Sequence, residues 1–135
     1  MRASWVIVVS IAVLLAACGG GGGSSSDEVR STWKDAATAA AEGDGTHFCA
    51  LVTSAGKRAI TSQTSLPCED SVRLLGSRLS AADKAAIRGA KITKVTVHGD
   101  DATVTYVMDA SLAKLGFTGR TSLHRSSGHW LLIGV

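Results

Sequence analysis

Residues 93–108 read TKVTVHGDDATVTYVM, and this stretch decides the fold class. Thr93, Val95 and Val97 alternate with Lys94 and Thr96. Gly99-Asp100-Asp101 then supplies a turn, and Ala102, Val104, Tyr106 and Met108 alternate again. A period of two on both sides of a glycine-containing turn predicts a β-hairpin with one buried face. Toward the C-terminus, Arg120–Arg125 and His129–Val135 flank Ser126-Ser127-Gly128 and predict a second hairpin. The last strand is apolar on both faces, as expected of one that is covered on both sides or central in its sheet.

Upstream of the first hairpin the period lengthens to that of a helix. Ser25 followed by Glu28 has the spacing of a capping box, and Val29, Trp33, Ala36, Ala37 and Ala40 recur at helical intervals before Gly43 and Gly45. A first helix over Asp27–Glu42 follows. Shorter helices are expected over Thr46–Val52 and over Ser54–Ile60, the latter behind Thr53 as cap. Another opens at Pro67 with Glu69 and Asp70 in its first turn. Ser80 and Asp83 repeat the capping spacing for a brief helix ending near Gly89. Helices first and an antiparallel sheet last make an α+β domain, with the helices packed on one face of the sheet. Residues 27–135 are room for one such domain.

The N-terminal residues have a different character. Met1-Arg2 gives a positive start, and Trp5 through Ala17 is uncharged and almost wholly apolar, the pattern of an export signal. The run is short of the roughly 20 apolar residues a bilayer-spanning helix needs, and Gly19–Gly23 stops any helix. Leu15-Ala16-Ala17-Cys18 resembles the lipobox of bacterial lipoproteins at all four positions. The resemblance implies cleavage after Ala17, a diacylglyceryl group on the Cys18 thiol, and anchorage on the extracytoplasmic face of a bacterial cell membrane. The alternative for the signal is an uncleaved anchor. Gly19–Ser26 is glycine and serine only. It reads with Cys18 as a flexible tether over residues 18–26, with a reach of about 15 Å for eight residues.

Charge and composition exclude more than they assign. The chain carries 14 Lys and Arg against 11 Asp and Glu. Loss of Arg2 with the signal leaves a net of about +2, without the clustered basic face of a nucleic-acid binder. Aromatic residues are 4% of the chain, so the core must be built from Ala, Leu, Val and Ile. Cys49 and Cys68 remain as a pair in an oxidising compartment and are expected to form a disulfide, worth roughly 3 kcal/mol in the chain-entropy model. Two separate buried thiols are the other reading.

No catalytic constellation emerges. His124 and His129 would oppose each other across a four-residue loop but not across a shorter one, and a metal needs at least a third ligand. His47 and His98 read as a helix-start and a turn residue. No Gly-x-Ser-x-Gly elbow occurs, and Gly116-Phe117-Thr118-Gly119 lacks the lysine and following helix of a phosphate loop. No metal or cofactor is expected. Trp33 and Trp130 line a pocket or fill the core, the core being favoured for aromatics at regular spacing.

The run from Val29 to Val135 resembles the nuclear transport factor 2-like superfamily, which includes ketosteroid isomerases and polyketide cyclases. The residues that carry the resemblance are Glu42-Gly43-Asp44, His47-Phe48-Cys49-Ala50-Leu51-Val52-Thr53, Pro67-Cys68-Glu69, the Val95–Tyr106 hairpin and Gly128-His129-Trp130-Leu131. It implies a cone in which a curved sheet wraps against the first helix around a pocket, with Trp33, Tyr106, Asp109 and Trp130 as candidate lining. Two functions are compatible with it. One is an accessory module that binds a small apolar ligand or an envelope protein without turnover. The other is an isomerase- or cyclase-type enzyme in which a buried Asp109 moves a proton near Tyr106, and an exposed Asp109 would end that version.

Overall fold

The computed structural model describes residues 24–134. The expected export signal, the expected lipidation site Cys18 and most of the expected tether lie outside them. Five helices come first: α1 (Ser25–Glu42), α2 (Gly45–Ala50), α3 (Ser54–Thr64), α4 (Cys68–Arg78) and α5 (Ala81–Arg88). Four strands follow: β1 (Lys91–His98), β2 (Asp101–Val107), β3 (Arg120–Ser126) and β4 (His129–Leu132), with a 3-10 helix, Ala110–Leu115, between β2 and β3. The sheet is an antiparallel meander in the order β1-β2-β3-β4. The class is α+β, with α1 packed on β1, β2 and β4.

Local chemistry accounts for the boundaries. The N-cap of α1 is Ser24, whose hydroxyl accepts from the Asp27 N–H at 3.3 Å, so Ser25 and Ser26 belong to the helix and the tether ends two residues before the expected point. Serine repeats in this run, and the spacing rule fits Ser24 and Asp27 as well as Ser25 and Glu28. Asp44 caps α2, Thr53 caps α3, and Ser80 with Asp83 forms a full capping box on α5. Helix α3 runs a turn beyond its expected end, to Thr64. Pro67 is the N-cap of α4 rather than its first helical residue.

The hairpins form at the expected places. Gly99 and Asp100 turn β1 into β2, and Ser127 and Gly128 turn β3 into β4, both with positive φ (51° and 78°). Two left-handed residues in a two-residue loop match the twist of the flanking strands. Thr93 is bulged out of the β1–β2 ladder between Ile92 and Lys94, so it leaves the buried row that Val95 and Val97 continue.

Strand β4 is last in the sheet order, which excludes the central position, one of the two alternatives drawn from its apolar sequence. Its free edge is covered by the chain at 51–53. Leu132 N–H donates to the Leu51 carbonyl at 2.8 Å, and Thr53 N–H donates to the Leu132 carbonyl at 2.9 Å. That backbone pairing protects the edge from pairing with other chains.

The main core joins Val29, Trp33, Ala36 and Ala40 of α1 to Val104, Tyr106, Leu123, Trp130 and Leu132 of the sheet. A smaller cluster of Ala41, Leu79, Ile87 and Leu112 ties α5 and the 3-10 helix to the end of α1. Helices α1 and α4 approach at their glycines. A Cβ placed on Gly76 would stand 2.4 Å from the Gly43 Cα, and Gly43 itself caps α1 with φ of 69°. Only glycine permits that approach, and it brings the wall of α4 up to α1.

Candidate functional site

A cavity of about 350 Å³ lies between the helices and the core face of the sheet. Its origin is legible in α1. Trp33, Ala36, Ala37 and Ala40 occupy one helical face, and all four border the cavity. Three of them end at Cβ, so the helix packs on the sheet without filling the space in front of it. Phe48 of α2, Ile60 of α3, and Val72 and Leu75 of α4 close the opposite side. Leu115–Thr118, which contains the positive-φ Gly116 and is followed by the positive-φ Gly119, also borders the cavity. Such a volume is at the small end for a small-molecule site, and the predominance of apolar walls is typical of one.

The disulfide Cys49–Cys68 fixes two of these walls. It links α2 to α4 across a sequence separation of 19, with a Cα–Cα distance of 6.1 Å, and both cysteines are buried. Gly45 makes that junction tight, since a Cβ there would stand 2.2 Å from the Glu69 carbonyl oxygen.

The four candidate lining residues separate. Trp33 and Tyr106 stand together on the cavity wall, their ring centroids 4.7 Å apart at an interplanar angle of 41°. The Trp33 Nε1–H donates to Thr121 Oγ1 at 3.4 Å. Both aromatics are buried, so they are core and cavity wall at once.

Trp130 borders a separate shallow hollow with Thr32, Leu51 and His129. The Arg125 guanidinium lies 5.4 Å from its ring centroid and is held by the Asp100 carboxylate at 2.9 and 3.0 Å. The Trp130 Nε1 is buried without a partner among the described residues.

Asp109 is exposed and caps the 3-10 helix, accepting from the Ser111 N–H at 2.9 Å. Its carboxyl is held below the ordinary value of 3.8, first by that backbone donor and second by the Ser111 side chain. A base for proton abstraction near neutral pH needs burial and a shift in the other direction. Asp109 is therefore removed from the pocket lining and from any acid–base role.

The histidines are also placed by register. His129 pairs with Ser126 and His124 with Leu131, because the turn between β3 and β4 has two residues, so the imidazoles do not oppose each other. His124 instead meets Asp101 of β2, Nδ1 to Oδ1 at 2.8 Å. Among the described residues there is no group of three or more His, Cys, Asp or Glu side chains that could hold a metal. Sequence reasoning missed the α3 and α4 walls and the Leu115–Thr118 loop. The loop's glycines were visible signals of a special backbone, without an indication of what it faced.

Compared with protein-family models, with curated proteins and with solved structures, the chain finds no match. No helix among the described residues is long and apolar enough to cross a membrane.

Proposed function

We propose that the protein is a lipid-anchored, extracytoplasmic binding module that takes a small apolar ligand into the cavity between α1, α4 and the sheet. The observation that carries this reading is the cavity: about 350 Å³ bordered by Trp33, Phe48, Val72, Leu75 and Tyr106, with no carboxylate or histidine on its border. Binding without turnover follows from the missing acid–base pair, and the exposure of Asp109 removes the candidate that favoured an isomerase. The finer fold reading is the nuclear transport factor 2-like cone. It is supported by the position of α1 along one face of an antiparallel sheet with the cavity between them.

Anchorage rests on the Leu15-Ala16-Ala17-Cys18 resemblance and on the following glycine run. A ligand carried on a tether that, with Ser25 and Ser26 in α1, reaches about 13 Å would be taken from or delivered to the near surface of the membrane. Two masses test the proposal. The denatured protein from bacterial membranes is expected to begin at Cys18 with added acyl mass, and an intact N-terminus would replace lipidation with a signal anchor. The native protein is expected to carry a small molecule that is lost in Ala40→Phe, which fills the space in front of α1. Identical native masses for both forms, neither with added ligand, would remove the binding reading.

A further inference from the structure

We propose that the cavity selects an uncharged ligand of about a dozen non-hydrogen atoms bearing one hydrogen-bond acceptor, which the hydroxyls of Thr121 and Tyr106 hold. This rests on the binding reading above and specifies the ligand class for the same cavity.

The size follows from the volume, since about 350 Å³ corresponds to roughly a dozen atoms at the 30 Å³ or so that a water occupies. The absence of charge follows from register. Arg120 is the one cationic residue on the cavity border, and no anionic residue lies there. In β3, Thr121 pairs with the fully buried Val104 and shares its core-facing side, whereas Arg120 pairs with Thr105. Successive side chains alternate across a strand, so Arg120 is directed to the solvent face of the sheet. An ionised ligand in the cavity would lose its hydration and gain no counter-charge there.

The acceptor follows from the two hydroxyls. Thr121 Oγ1 accepts from the Trp33 indole N–H at 3.4 Å, which leaves its own O–H proton to be given elsewhere. Tyr106 lies on the same face as Thr121, its backbone N–H bonded to the Gly119 carbonyl and its ring against Trp33. Neither hydroxyl donates to an acceptor among the described residues. The three other hydroxyls on the border are occupied: Thr64 and Ser71 bond each other at 2.7 Å and bond the carbonyls of Ile60, Leu66 and Pro67, and Thr118 donates to the Arg120 carbonyl at 2.9 Å. Two hydroxyls on the cavity border are therefore without a protein acceptor among the described residues, and a ketone, ester or ether oxygen would satisfy them.

The test is calorimetric titration of the full chain in phospholipid nanodiscs, with empty nanodiscs as blank, using decan-2-one, dec-1-ene, decanoate and decylamine. Decan-2-one is expected to bind at least about tenfold more tightly than either ion. Tyr106→Phe and Thr121→Val should each weaken it about 2- to 10-fold. Thr121→Ser should retain the wild-type affinity, and dec-1-ene should be indifferent to all three substitutions. Decanoate binding as tightly as decan-2-one, with the advantage lost in Arg120→Gln, would overturn the charge selection and leave the cavity reading standing. Unchanged affinity for decan-2-one in both Tyr106→Phe and Thr121→Val would overturn the donor pair. If none of the four binds the wild type, this inference fails and the binding reading fails with it.

Discussion

Reduction of the Cys49–Cys68 bond should both destabilise the domain and open its cavity. The bond closes a loop of about twenty residues that contains all of α3. In the chain-entropy model a loop of this length restricts the unfolded chain by on the order of 3 kcal/mol, a large share of the 5–15 kcal/mol typical of a domain. That loss should lower the melting temperature by on the order of 10–20 °C for a chain of this size. The bond also ties α2, which carries Phe48, to α4, which carries Val72 and Leu75, and all three side chains are cavity wall. Ligand affinity should therefore fall on reduction, even at temperatures where the reduced protein is still folded. Thermal melts followed by circular dichroism, with and without a phosphine reductant, separate the cross-link from side-chain volume because reduction removes no atoms. The double variant Cys49→Ala/Cys68→Ala adds the smaller loss of buried sulfur. A reduced protein that melts within about 3 °C of the oxidised one would refute the reasoning, since the unfolded chain would then gain little freedom from the opened loop.

Gly76→Ala should cost more than about 2 kcal/mol, because its Cβ would meet backbone at 2.4 Å, whereas a Cβ at Gly99 meets nothing within 4 Å and Gly99→Ala should cost only about 1 kcal/mol for its φ of 58°; urea titration of both variants compares the two. Asp109→Asn should leave ligand affinity unchanged, and a loss of more than about tenfold by calorimetry would return Asp109 to the site. The Ser80 side chain first, and second the Ser80 backbone N–H, which donates to Asp83 Oδ2 at 3.1 Å, hold the folded Asp83 carboxyl below the ordinary value of 3.8. The stabilisation is therefore complete above the unfolded value and is lost as pH falls through 3.8 toward the folded one. Acid titration of Asp83→Asn should accordingly show a shallower loss of stability below about pH 4 than the wild type, and parallel curves would place the acid sensitivity elsewhere.

The elements were legible because their signals are local. Period-two alternation around Gly99 marked the first hairpin, the Ser126-Ser127-Gly128 turn marked the second, and Ser80 with Asp83 marked a cap that forms as written. The start of α1 shifted within a serine run because adjacent serines offer nearly equivalent caps. The bulge at Thr93 was invisible, since a period-two pattern does not announce an extra residue when that residue is itself polar and β-branched. The 3-10 helix over Ala110–Leu115 has too few residues to show a period, and it is held by Leu112 in the second cluster. Candidate site residues divided for a similar reason. Trp33 and Tyr106 share a wall because α1 crosses the sheet there, whereas Asp109 differs from Tyr106 by only three residues and lies beyond the end of β2, in solvent.

Chemistry that depends on nearest neighbours along the chain was therefore open to reading: the α+β order, the caps, the turns, the cysteine pair and the resemblance of Leu15–Cys18 to a lipidation signal. Whatever depends on which surfaces meet required the tertiary structure. The alanines of α1 are buried in packing at Ala39 and Ala41, but at Ala36, Ala37 and Ala40 they border a cavity. An alanine has the same helix propensity in either setting. The difference arises only when α4, brought up to Gly43 through Gly76 and tied to α2 by Cys68, stands far enough from the sheet to leave the space unfilled.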